Sequence, residues 1–180
     1  MAANYKGKLS AAVLTLILAG APSSVILDQF LKEKEGRSLV AYSDAGNVWT
    51  ICGGVTRVNG KPVVQGMRLT EAQCDQIDRA EQAKALAWVD RNVHVPLTGP
   101  QKAGIASFCP WNIGPGNCLP STFYRKLNAG DRTGACAAIK TWIYDRKRDC
   151  RIRSNNCFGQ VVRREQESEL TCFGLNLVKK

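Results

Sequence analysis

Eight cysteines spread over 180 residues constrain this chain more than any other feature. They stand at Cys52, Cys74, Cys109, Cys118, Cys136, Cys150, Cys157 and Cys172. None forms a Cys-x-x-Cys pair, and the single histidine, His94, leaves a zinc site short of ligands, so no metal or other cofactor is expected. An even number of scattered cysteines points to disulfides, and with them to an oxidising compartment. Such a set allows more than a hundred complete pairings. Cys109–Cys118 and Cys150–Cys157 are the local choices, each closing a loop across turn-like sequence. On spacing alone the other four stay open.

The length suits one compact domain with an appendage. A formal net charge of +10 draws the chain to polyanions: nucleic acid, anionic lipid and the acidic bacterial wall all qualify. There is no dense Lys/Arg run with interleaved aromatics, no zinc-finger spacing and no RNP-like motif, which argues against nucleic acid.

The chemistry concentrates between Glu35 and Gly54 (EGRSLVAYSDAGNVWTICGG). This glycine-punctuated stretch places a glutamate at the end of a predicted helix, then Asp44, then Thr50. Two carboxylates and a hydroxyl are the minimum for cleaving a glycosidic bond. One carboxylic acid protonates the leaving oxygen, and the other orients water or stabilises an oxocarbenium-like transition state. Spacing of this kind also occurs among merely solvated loop residues; the ordered set is more specific. Glu35-Gly36, then Tyr42-Ser43-Asp44-Ala45-Gly46, then Trp49-Thr50-Ile51 and Gly53-Gly54 resemble the active-site segment of the phage-type lysozymes (T4-like, glycoside hydrolase family 24), which include the lambdoid phage endolysins. The resemblance implies Glu35 as general acid, Asp44 as the second carboxylate and Thr50 as the group helping to place the nucleophilic water. It implies that Glu35 is kept protonated near neutrality by burial or neighbouring charge, and that the anomeric centre inverts. A carboxylate separation of about 6.5–9.5 Å would fit inversion and about 5–5.5 Å a covalent intermediate. The family commonly has a histidine where this chain has Val55, so one supporting contact is missing.

In the family fold the positions of Cys52 and Cys74 are close, joining the active-site sheet to the next helix; that leaves Cys136 with Cys172. A second block extends the resemblance: Trp111-Asn112-Ile113-Gly114-Pro115-Gly116, then Ser121-Thr122, Arg125 and Leu127-Asn128-Ala129-Gly130. Val161-Val162-Arg163-Arg164-Glu165 resembles the family's C-terminal helix. Candidates for saccharide binding are Thr56, Trp111, Asn112 and Ser121, with a core role for Trp111 equally open.

From Leu9 to Leu27 (LSAAVLTLILAGAPSSVIL) there is no charge, behind a short basic start containing Lys6 and Lys8. Three assignments compete. A cleaved signal peptide matches Ala19-Gly20-Ala21, but Pro22 directly after that site impedes a peptidase. A buried core helix would not need the basic flank. An uncleaved anchor, basic end inside and the rest outside, fits best. It resembles the signal-arrest-release segments of some lambdoid endolysins, which the host secretion machinery exports and which are held inactive at the inner membrane until release. Some relatives lock a catalytic cysteine with a thiol in this segment; here no cysteine precedes Cys52.

Local signals complete the outline. Ile26, Leu27, Phe30 and Leu31 form an apolar stripe on a helix leading into Glu35. Asn59-Gly60 is a hairpin cue in the Val48–Val64 stretch. Thr70-Glu71-Ala72-Gln73 is a capping box opening a helix to about Arg91, with Ile77, Ala80, Ala83, Ala87 and Trp88 near one face. A helix from Thr98 is expected to stop at Pro110, Asp131 to cap a helix over Thr133–Tyr144, and Gly159–Leu170 to form the last helix. Arg146, Lys147, Arg148, Arg151 and Arg153 make a basic loop that is either a solvated face or an attractor for anionic wall polymer. His94 is assigned a surface or structural role.

The fold expected is thus α+β and mainly α: a small sheet lobe, a larger helical lobe and a cleft between them, with a membrane-spanning, releasable N-terminal helix. Residues 1–27 would be the signal anchor and 28–180 the catalytic domain. The expected activity is hydrolysis of the β-1,4 bond between N-acetylmuramic acid and N-acetylglucosamine by a monomer, held at the inner membrane through residues 9–27 and then freed into the host periplasm to lyse the cell. The alternatives are a lytic transglycosylase of the same bond and a non-catalytic wall-binding protein on the same scaffold.

Overall fold

The computed structural model describes residues 7–44 and 47–175. The expectations attached to Lys6, and to Ala45 and Gly46 of the catalytic stretch, fall outside them. The uncharged N-terminal segment is folded as two helices rather than one. Ser10 caps α1 (Ala11–Leu18), its hydroxyl accepting from the Val13 N–H at 3.1 Å. Gly20 then turns the chain in the left-handed region (φ +72°), and Pro22 precedes α2 (Ser23–Lys34). No helix among the described residues is long and apolar enough to cross a membrane. The folded structure does not show the expected membrane-spanning helix: α1 rises only about 12 Å, against about 30 Å of bilayer hydrocarbon. Gly20 and Pro22 separate the two helices.

The same residues enter the protein's main core, as the buried-helix alternative required. Leu9, Val13, Ile26 and Leu27 are buried beside Phe30 and Leu31. Because α2 begins at Ser23, it straddles the boundary expected between Leu27 and Asp28. The apolar stripe along α2 is buried throughout, as its spacing predicts.

The small lobe is built on the antiparallel pair β1 (Ser38–Ser43) and β2 (Trp49–Cys52), with Tyr42 opposite Thr50. The other edge of β1 bonds to the 67–69 segment through Ala41 N–H to Met67 O and Leu69 N–H to Leu39 O. A second hairpin, β3 (Arg57–Val58) and β4 (Lys61–Pro62), turns at Asn59-Gly60, both with positive φ, as the sequence cue predicts. Ile51, Cys52, Val63 and Cys74 form this lobe's own small core.

Helix α3 (Glu71–Asn92) opens with the predicted reciprocal cap between Thr70 and Gln73 and links the two lobes. Next comes α4 (Gly99–Ala106), which does not stop at Pro110. The chain continues as a π-helix over Ser107–Ile113, and Gly114 (φ +79°) ends it. The wider turn accommodates a proline that has no N–H to contribute. After α5 (Pro115–Cys118) and α6 (Thr122–Asn128), α7 (Arg132–Ile139) is capped by Asp131 as expected but ends five residues before Tyr144. Tyr144–Asp145 (β5) pairs instead with Arg148–Asp149 (β6), so the basic loop begins as a hairpin. The run Trp142-Ile143-Tyr144 is aromatic and β-branched, a preference for strand that the helix reading overlooked. Helix α8 (Phe158–Thr171) closes the large lobe, packing on α4 and α7.

All four expected disulfides are formed: Cys52–Cys74, Cys109–Cys118, Cys136–Cys172 and Cys150–Cys157. The first ties the end of β2 to the first turn of α3, anchoring the small sheet to the connecting helix.

Candidate active site

Glu35 is the residue at which α2 ends, its backbone extended (φ −91°, ψ 130°) while its N–H still bonds Leu31 O at 2.8 Å. The fully buried stripe of α2 therefore fixes the base of this side chain. One carboxylate oxygen, Oε1, accepts from Arg163 Nη1 at 2.8 Å and from Trp111 Nε1 at 3.3 Å. The other, Oε2, points towards Gly54 and lies 3.8 Å from where a Cβ on that glycine would stand. Gly54 (φ +96°) adopts a backbone that favours glycine and keeps that approach open.

Asp44 and Thr50 sit together on the β1–β2 hairpin, both tied to Val48. Asp44 donates its backbone N–H to Val48 O at 3.0 Å, and its side-chain Oδ1 accepts from Val48 N–H at 2.9 Å. The Thr50 hydroxyl donates to Val48 O at 3.1 Å. Asp44 is exposed and Thr50 is buried.

A groove of about 690 Å³ runs between the lobes. The small lobe contributes Gly54, Val55, Thr56 and Asn59, helix α3 contributes Ile77, Ala80, Lys84 and Trp88, and the far wall is Trp111 and Pro115. The predicted face of α3 is thus largely the groove's wall, whereas the buried face carries Cys74, Asp78, Gln82, Ala85, Leu86 and Val89. Thr56 and Trp111 line the groove. Asn112 and Ser121 are not among its lining residues: the Asn112 amide oxygen accepts from Arg164 Nη2, and the Ser121 hydroxyl caps α6 by accepting from Tyr124 N–H at 3.1 Å. His94 is exposed, the surface alternative of its two assignments.

Behind Glu35 a smaller cavity of about 180 Å³ is bounded by Asp28, Arg37, Gly53, Asp78 and Gln82, with Glu35 and Trp111 on its rim. Burial pushes the Asp78 carboxyl above its ordinary range, against the Gly53 N–H that it accepts at 3.2 Å.

The residues that sequence reasoning passed over are on α8. Arg163 Nε donates to Glu167 Oε1 at 3.0 Å, Arg164 Nη1 donates to Glu167 Oε2, and Glu167 is wholly buried. Burial acts to lower the Arg163 pKa, but the carboxylates of Glu167 and then Glu35 outweigh it and raise the net value. On Lys34, burial dominates and lowers it, with Arg163 adding to the effect. The available signal was the i,i+4 spacing of Arg163 and Glu167, which marks a helix pair but not a buried one.

The family model described as phage lysozyme matches residues 32–167. A SAR-endolysin of Escherichia phage N15 is 66% identical over 174 residues, covering 95% of this chain and 98% of the relative. One of Escherichia phage 933W is 63% identical over 176 residues, covering 98% and 99%. Among solved structures, the endolysin from Escherichia coli O157:H7 phage FAHEc1 superposes with a TM-score of 0.71 at 31% identity, covering 86% of this chain and 93% of that one. The chain belongs to the phage lysozyme family.

Proposed function

We propose that Glu35 is the general acid of this lysozyme, with Asp44 the second carboxylate and Thr50 an orienting group. The protein is a phage endolysin that hydrolyses peptidoglycan in host lysis. The bond assigned is β-1,4, between N-acetylmuramic acid and N-acetylglucosamine. The observation that carries the acid assignment is the asymmetric clamp on Glu35. Two N–H donors occupy Oε1, which leaves Oε2, the oxygen facing Gly54 at the groove's edge, open to deliver a proton. From there it passes to the leaving glycosidic oxygen. The opposite face of the sugar would meet the β1–β2 hairpin, where Asp44 stabilises developing positive charge or activates water.

The test is wall-lytic turnover of the full chain beside Glu35→Gln, with product ends identified by mass spectrometry. We expect the variant to lose about 10²–10⁴-fold or more in rate, and the parent to release reducing-end muropeptides. Equal rates in the two proteins would sink the assignment. Anhydro-sugar ends would instead identify a lytic transglycosylase.

Residues 9–27 are proposed as the segment that tethers the exported enzyme to the inner membrane before release into the periplasm. The names of the relatives and the uncharged run support this. While the segment lies in a bilayer, α2 lacks the packing that Leu9 and Val13 supply in the folded enzyme, and Glu35 at its end is not held.

A further inference from the structure

We infer that Glu167 is a positioning residue for the acid: it holds Arg163 against Glu35 and shares that arginine's charge. Glu35 then has an oriented donor on one oxygen without facing an unshared cation. The inference rests on Glu35 being the acid.

Glu167 is buried to 0% exposure yet keeps every oxygen occupied. Oε1 accepts from Arg163 Nε at 3.0 Å and from the Ser107 hydroxyl at 2.8 Å, and Oε2 accepts from Arg164 Nη1. Arg164 in turn donates through Nη2 to Asn112 and through Nε to Trp142 O at 3.1 Å. One carboxylate therefore holds Arg163, a donor on Glu35, directly, and also holds Arg164, which bonds Asn112, the residue after Trp111. Buried ions are expensive unless paired. Two guanidinium groups meet one carboxylate here, and the second anion available to Arg163 is Glu35 itself. Glu167 outranks Glu35 in holding Arg163 charged. The other charged groups around Glu35 are Lys34, whose charge faces the same Arg163–Glu167 pair, and, around the small cavity, Asp28, Lys32, Arg37 and Asp78.

The consequence is a dependence on pH. The acid acts only when protonated, so activity falls where Glu35 ionises. Removing the charge of Glu167 leaves Arg163 to favour the carboxylate form of Glu35. For Glu167→Gln in the full chain, assayed on purified peptidoglycan, the alkaline limb of the pH–activity profile is expected to move down by about one pH unit, with kcat about tenfold lower on that limb. KM for the wall should change little. Arg163→Gln should move the limb the other way. Ser107→Ala, which removes a neutral bond to the same oxygen, should leave the limb in place, and Glu167→Asp should restore it. If circular dichroism shows that Glu167→Gln is unfolded, Arg164→Met/Glu167→Gln removes one buried charge of each sign and should give a smaller displacement in the same direction, since Arg163 still faces Glu35 without Glu167. An unmoved limb in a folded Glu167 variant, with Glu35→Gln inactive, overturns the role of Glu167 alone. An active Glu35→Gln overturns the acid assignment and this role with it.

Discussion

Helices α4 and α8 approach closely at Gly104, and the distance can be tested by adding one methyl group. An ideal Cβ on Gly104 would lie 2.6 Å from both the backbone nitrogen and the hydroxyl oxygen of Thr171, and 3.0 Å from the carbonyl carbon of Leu170. Ordinary contact begins near 3.4 Å, so the helices must separate by about 0.8 Å, and two of the three obstacles are backbone atoms that cannot rotate away. Overpacking of this kind costs about 1–3 kcal/mol, and the rigidity of these neighbours places Gly104→Ala at the upper end. Alanine returns about 1 kcal/mol of helix propensity. The net expectation is a loss of about 2 kcal/mol, or about 4–8 °C in Tm for a domain of this size. Gly159→Ala is the control: that glycine is on α8, exposed, with nothing within 4 Å of the new methyl, and should gain stability. Thermal unfolding of the three oxidised proteins by circular dichroism decides it. A Gly104→Ala protein as stable as the parent would refute the close approach. The activity readout adds a second check, because α8 carries Arg163 and any outward shift lengthens its bond to Glu35.

Two further outcomes follow from burial. Asp78 holds its proton in the folded state at pH values where the unfolded chain has released it, so its contribution to stability is full below the ordinary aspartate range and is lost as pH rises through the raised value. Asp78→Asn should therefore gain on the parent as pH rises from below the ordinary aspartate range through the raised value; a difference independent of pH would count against burial as the cause. Deleting residues 1–21 removes Leu9 and Val13 from the core, an expected loss of about 3–6 kcal/mol at roughly 1.5–3 per apolar side chain. That is a large part of a typical domain's stability; a shortened chain that folds and lyses walls like the parent would show that the segment does not complete the enzyme.

Features set by neighbours in sequence were the legible ones. The Thr70–Gln73 box, the Asp131 cap, the Asn59-Gly60 turn and the apolar stripe on α2 each need only a few residues and a preferred backbone geometry. Where two local preferences competed, the sequence was ambiguous. Pro110 signals a helix end but is tolerated in a wider turn, and Ile143-Tyr144 fits a helix face as readily as a strand until the hairpin with Arg148–Asp149 decides. The uncharged N-terminal run satisfies a bilayer and a protein core equally, since both reward apolar surface; only Gly20 and Pro22 hinted at the break.

The acid's environment was illegible for a different reason. Glu35 and Arg163 are 128 residues apart, and Glu167 and Ser107 are 60 apart. No local pattern fixes such distances. They follow from α4 lying between α2 and α8, touching both, with a glycine where it meets α8. Had position 104 carried a side chain, α8 would stand further out and Arg163 would reach Glu35 only by stretching its hydrogen bond. The charged partners of the active site are thus chosen by small residues in the core, and a sequence can display every catalytic group while concealing what sets their protonation.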